Sequence, residues 1–210
     1  MHLEKITDPA FIAVTLARLR TNSNIPNGQD EDFLVEALKS AEDYCERYLE
    51  CTIGLAEWRL TLDSFPQVGA WQDPFQAFPQ TYQSRKAELL IPLWPIRSVT
   101  AIAYTASDGT SSTPLSLSQI VQPIGNDRYH LRMKKGFSWP STDGSPNAVA
   151  ITFQAGWPTQ AKLPGTLTRA ILMLVSHFYE NREAVLTGSI SKEVELGVQS
   201  MLAMMETEYD

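Results

Sequence analysis

The sequence predicts an α+β fold, with helices first, then a run of strands, then helices, and no βαβ alternation. Two observations carry this. Apolar residues recur at three- and four-residue steps from about Asp30 to Leu49 and again after Pro164. From Leu55 the period changes to two, and short strand-like segments recur as far as Ala155. The composition fits a domain with a substantial core, since 43% of the 210 residues are apolar and 20% are charged.

The elements follow in order. Asp8-Pro9 is expected to open a first helix, Asp8 as cap and Pro9 at its first position, with Phe11, Ile12, Leu16 and Leu19 on one side. The cluster Asn22 to Gly28 ends it. A stronger helix runs from about Asp30 to Leu49, its stripe made of Phe33, Leu34, Ala37, Leu38, Ala41, Tyr44, Cys45 and Tyr48. Asp30-Glu31-Asp32 suits the positive end of that helix. Trp58, Leu60 and Leu62 then alternate with Arg59, Thr61 and Asp63 as a half-buried strand. Leu89 to Leu93, Val99 to Thr105, Leu115 to Val121, Tyr129 to Met133 and Val149 to Ala155 read as further strands, with a turn at Asp108-Gly109. Pro164 starts a helix whose stripe is Leu167, Ala170, Ile171, Leu174, Val175 and Phe178. A short, Met-rich helical segment from Val194 to Glu206 closes the chain.

Between residues 65 and 86 lies a stretch without periodicity, carrying Trp71, Phe75 and Phe78 among few charges. Aromatics in such a loop are costly to leave wet, so these three are expected to meet a neighbouring copy or an adjoining assembly.

Charge narrows the functional classes. Lys plus Arg number 17 against 24 Asp plus Glu, a net charge of −7, and the pI is near 5.0. A broad grip on DNA phosphates would call for the opposite sign. No apolar run reaches the length of a membrane helix, and the first residues lack a secretory pattern, so the expectation is a soluble, cytoplasmically made protein with no membrane partner. Cys45 and Cys51 are read as reduced packing residues.

The search for chemistry returns little. No nucleophile elbow, phosphate-binding loop, dinucleotide fingerprint or zinc-protease motif is present. His177 and Glu180 could share a helix face and bind a metal, but a hydrogen-bonded, partly buried histidine explains the same residue. The two cysteines have no companion pair for zinc. No catalytic residue, metal or cofactor is assigned. Arg128, His130, Arg132, Lys134 and Lys135 form a basic cluster, +3 from Asp127 to Lys135, suited either to a phosphate or to the acids of a neighbouring subunit. Residues 30–50 hold eight acids and two bases, a local charge of −6.

Several ordered strings resemble the head–tail connector (adaptor) proteins of tailed bacteriophages. These are Asp30-Glu31-Asp32 with Ala41 to Glu46, Trp58 to Pro66, Ile91 to Val99, Trp139-Pro140, Asn147-Ala148-Val149, Phe153 to Trp157, and Leu172 to Glu183. The resemblance implies a mainly helical adaptor domain with an inserted antiparallel β domain between the second and third main helices. On that reading the chain divides into a helical part (1–54), a β-rich insertion (55–160), a helix completing the helical domain (161–188) and a C-terminal tail (189–210). It further implies a ring, commonly of twelve copies, that binds the portal protein, extends the DNA channel and offers a docking surface to a tail terminator, stopper or tail-tube protein. The location implied is the head–tail interface of a virion assembled in the bacterial cytoplasm. Leu196, Val198, Met201, Leu202 and Met205 would be the apolar anchors toward the portal. If the 30–50 helix lines the channel, Glu36, Glu42, Asp43 and Glu46 would repel passing DNA; the alternative is a helix solvated on the ring exterior. Outside this class stand a small carboxylate-dependent hydrolase and a host-side protein-binding module.

Overall fold

The computed structural model describes residues 1–26, 30–66, 88–123, 130–182 and 192–209. The chain forms two compact units, one of residues 1–8 and 56–155, the other of residues 9–55 and 156–210.

The first unit is built on an antiparallel sheet of five strands: β1 (His2–Lys5), β2 (Ala56–Leu62), β4 (Ile96–Tyr104), β5 (Thr113–Pro114) and β7 (Val149–Ala155). Their spatial order is β1-β2-β7-β4-β5. The central strand, β7, pairs Ile151 with both Leu60 and Ile102, and Phe153 with both Trp58 and Val99. Strict alternation puts Val149, Ile151, Phe153 and Ala155 on one side, all buried. In β4 the inward residues Ile96, Val99 and Ile102 are three apart, a spacing that alternation would scatter over both faces. Register shifts between Ile96 and Ser98 and between Val99 and Ala101 each absorb one extra residue, so all three reach the same core. Phe65, Ile91, Leu93, Ile120, Leu131 and Met133 close that core, and Trp139 stacks on Phe65 with ring centroids 4.8 Å apart. A two-stranded ribbon, β3 (Leu89–Leu90) with β6 (His130–Leu131), contributes Leu131 to it and leads directly into Ile91 and toward Met133.

Two details seal the exposed side of β4. Asp108 Oδ1 accepts from the Thr110 N–H at 2.9 Å and Gly109 has φ 84°, making the turn into β5. Farther along β4, the Gln122 side-chain amide takes the place of a neighbouring strand. Its oxygen accepts from the Val99 N–H at 3.0 Å and its nitrogen donates to the Val99 carbonyl at 3.3 Å.

The second unit is helical: α1 (Leu16–Ser23), α2 (Glu31–Leu49), α3 (Gly165–Glu180) and α4 (Lys192–Tyr209). The most apolar of them, α3, packs against the other three. Its stripe is the expected one, Leu167, Ala170, Ile171, Leu174, Val175 and Phe178, all buried. From α2 come Leu34, Ala37, Leu38, Ala41, Cys45 and Leu49.

The structure departs from the sequence reading at several places. The first helix does not begin at Asp8-Pro9. Its N-cap is Thr15, whose hydroxyl accepts from the Arg18 N–H, and residues 9–15 run irregularly with Ala13 and Val14 fully buried. That segment is committed elsewhere: the Ala10 N–H donates to the Leu55 carbonyl, and the Ile12 and Ala13 carbonyls accept from the Gln160 amide. Residues 2–5, read within the helical part, form an edge strand paired to β2. Leu115 to Val121 is no strand; it holds a 3-10 turn over Leu117–Gln119. The strand read at Leu89 to Leu93 keeps only Leu89 and Leu90.

The insertion is tied off by a tight crossing. The Leu55 N–H donates to the Trp157 carbonyl at 3.1 Å and the Trp157 N–H to the Ile53 carbonyl at 3.0 Å. Gly156, at φ 109°, lies so close that a Cβ there would overlap the Gly54 carbonyl.

Candidate interaction surfaces

Helix α2 carries the densest run of acids, and the structure divides them by task. Glu42 and Glu46, one turn apart, are half-buried. Glu42 Oε1 accepts from the Ala13 N–H at 2.5 Å, and Glu46 Oε1 from the Ile53 N–H at 2.7 Å. These carboxylates cap amides of the two irregular segments that lead into and out of the helical unit. Burial, with the charge of Glu46 adding to it, pushes the Glu42 carboxyl up against the lowering effect of the Ala13 bond. Cys45 lies between them on the buried side; its thiol is pushed up to about 12, first by burial and then by Glu42 and Glu46. Burial raises the Cys51 thiol too, and both cysteines are unbridged. Of the four acids read as a channel lining, then, two remain exposed, Glu36 and Asp43, and Asp43 pairs with Arg47 at 2.9 Å.

The ends of α2 and α3 are clasped. Arg182 Nη2 lies 2.6 Å from Asp30 Oδ2, its guanidinium stands 4.9 Å from the Phe33 ring centroid and 4.5 Å from that of Tyr179, and the Tyr179 hydroxyl also donates to Asp30. The hydrogen bond from Arg182 holds the Asp30 carboxyl below the ordinary carboxylate range. Glu31 pairs with Arg20 of α1. Asp30 and Glu31 are thus neutralised within the unit, and the exposed charge of α2 is smaller than its sequence suggests.

Helix α4 shows which apolar residues look outward. Val198, Leu202 and Met205 are buried, facing this unit's own interior, and Met201 is half-buried. Leu196 is 66% exposed. Three of the five residues read as portal anchors are therefore spent on the chain's own packing, because α4 lies against α3. Met204, which stands in the same Met-rich segment but is not among the five anchor residues, is 67% exposed. Trp71, Phe75 and Phe78 lie outside the described residues, as does Arg128.

The rest of the basic cluster lies on β6 and the residues that follow it. Leu131 and Met133 are buried while His130, Arg132, Lys134 and Lys135 are exposed. Glu88 lies 4.0 Å from both His130 and Arg132. His177 is buried, with the Asn181 amide 3.2 Å from its Nδ1, and no group of metal-binding residues occurs among the described residues. An open cleft of about 240 Å³ is lined by Arg169, Ser176, His177 and Glu180. The Ser176 hydroxyl there is engaged with Asn22 and Ser23, tying α3 to α1. None of the described helices is long and apolar enough to cross a membrane.

No family model matches the chain. Nor does any curated protein. Solved structures do. The chain is similar, with a TM-score of 0.69 and 20% identity over 97% of its length and 94% of the other chain, to a chain in the virion of a native gene transfer agent particle. Chains in the neck of the empty particle, solved with C6 symmetry, and of the native particle, solved with C12 symmetry, match with TM-scores of 0.68 at the same identity and coverage. Helices, sheet and their order in sequence thus make up, over nearly the whole chain, a fold shared with a component of a gene transfer agent neck.

Proposed function

We propose that this chain is a head–tail connector (adaptor), a structural protein that assembles into a ring beneath a portal, continues the DNA channel and presents a surface on which a tail docks. The observation that carries the reading is the fold likeness along 97% of the chain to neck chains, one of them solved with C12 symmetry. A ring of twelve copies fits it. The work is geometric: side chains join copy to copy and ring to ring, with no bond made or broken.

The net charge of −7 per copy supports the channel role, because a wall of like sign keeps a duplex from adhering. The portal contact is assigned to the C-terminal segment 189–210. Leu196 is the apolar side chain of the original five that this segment offers outward.

The test is direct. Purified chain is mixed with the portal protein of the same particle and imaged by electron microscopy. The expected result is a symmetric ring seated on the portal. A chain that stays monomeric and leaves the portal bare would overturn the proposal.

A further inference from the structure

We propose that the basic ribbon of one copy docks on the N-terminal half of α2 of the next copy, an inference that rests on the ring reading above. A ring needs two different, mutually complementary faces on each copy. The chain carries such a pair, one in each compact unit.

The first face is the segment after β6. Leu131 and Met133 point inward, so His130, Arg132 and Lys134 share the outer side. A tight turn follows. The Phe137 N–H donates to the Lys134 carbonyl at 3.1 Å and Gly136 has φ 90°, which holds Lys135 and Phe137 outward. Phe137 is 51% exposed. Lys134 and Lys135 have no carboxylate partner among the described residues, so this face combines free positive charge with an exposed aromatic ring.

The second face is its complement. Asp32, Val35 and Glu36 are exposed at three- and four-residue spacing on one side of α2. Neither acid has a partner among the described residues, unlike Asp30, Glu31 and Asp43, and Val35 is among the exposed large apolar side chains. Two cations beside an aromatic thus meet two anions beside an aliphatic. Complementary charge of this kind fixes orientation and speeds encounter.

A nucleic-acid backbone suits the ribbon less well. Glu88 stands 4.0 Å from both His130 and Arg132, where it would repel a phosphate, and an exposed Phe137 gains nothing from one. The contact also takes Glu36 away from the channel wall.

Two double variants test this: Lys134→Glu with Lys135→Glu, and Asp32→Lys with Glu36→Lys. All four positions are exposed, and circular dichroism melts verify folding. Self-association is followed by sedimentation in low salt. Each variant alone is expected to associate roughly tenfold or more weakly than wild type, because like charges then face each other. An equimolar mixture is expected to recover association, since the two variants can alternate around a ring. Variants that associate as well as wild type, or a mixture that does not recover, would overturn the inference and leave the ring reading standing. If the wild type is monomeric alone, the same set is imaged on the portal. Absence of any wild-type ring there overturns the ring reading and this inference with it; rings formed equally by wild type and by each double variant alone overturn the inference only. Duplex DNA retained by wild type and lost by the ribbon variant, with association unchanged, would assign the patch to phosphates and refute the docking.

Discussion

Replacing Glu42 separates its charge from its hydrogen bond. The carboxylate oxygen accepts from the Ala13 N–H at 2.5 Å, and Ala13 has no exposed surface. Glu42→Ala leaves that amide buried without an acceptor, which costs about 1–3 kcal/mol. For a chain of this size about 2 kcal/mol lowers Tm by roughly 4–8 °C. Glu42→Gln keeps the acceptor and removes the charge that burial and Glu46 disfavour, so at neutral pH it should be at least as stable as wild type. The pH dependence has a definite sign. The folded carboxyl is raised above its usual value of 4.5, so folding holds that proton more tightly than the unfolded chain does. Its contribution is fully present below the unfolded value and is lost as pH rises through the folded one. Melts of wild type and Glu42→Gln should therefore converge in acid and separate above it, with the glutamine variant higher. A glutamine variant as unstable as the alanine variant at neutral pH would show that the ionised carboxylate itself stabilises the fold, and would refute the reasoning.

Three further outcomes follow from the packing. Val198→Asp should cost about 3 kcal/mol or more in thermal or urea melts, because it places a charge where no surface is exposed, whereas Leu196→Asp should fold normally and lose portal binding in a pull-down. Gly156→Ala should destabilise by at least about 2 kcal/mol, read in the same melts, since φ is 109° and the new methyl would overlap the Gly54 carbonyl. Gln122→Ala removes both hydrogen bonds to Val99, each worth about 1 kcal/mol, and should show as faster hydrogen exchange at the Val99 amide.

Periodic segments with one buried face were readable from the sequence alone. The stripe of α3 and the alternation of β7 match the structure, and in α2 five of the eight stripe residues are buried while Phe33, Tyr44 and Tyr48 are half-buried and Leu49 joins them, because in each the tertiary partner lies on one side only. What escaped was set by partners distant in sequence. Residues 2–5 carry two charges and almost no alternation, and become a strand only by pairing with β2. Asp8-Pro9 has the chemistry of a helix start, yet the following residues are claimed by Leu55, Gln160 and Glu42. The acids of α2 looked like one solvated face, whereas two of them serve buried amides. Helix α4 has apolar residues at 196, 198, 201, 202, 204 and 205, nearly all round its axis. Only its seat against α3 decides which of them face out, and periodicity could not.

The interleaving of the two units bears on how the chain acquires its structure. The strand at the middle of the sheet is nearly the last of the β residues to leave the ribosome, and the strand at one rim is the first. The helical unit likewise waits for α3, made after the whole sheet. Vectorial synthesis therefore cannot finish either half early, and nascent chains stopped anywhere before Ala155 carry two incomplete cores. Pairings across such separations fold slowly, so the sheet core should close only after Ala155 is made and the helical core only after α3 and α4.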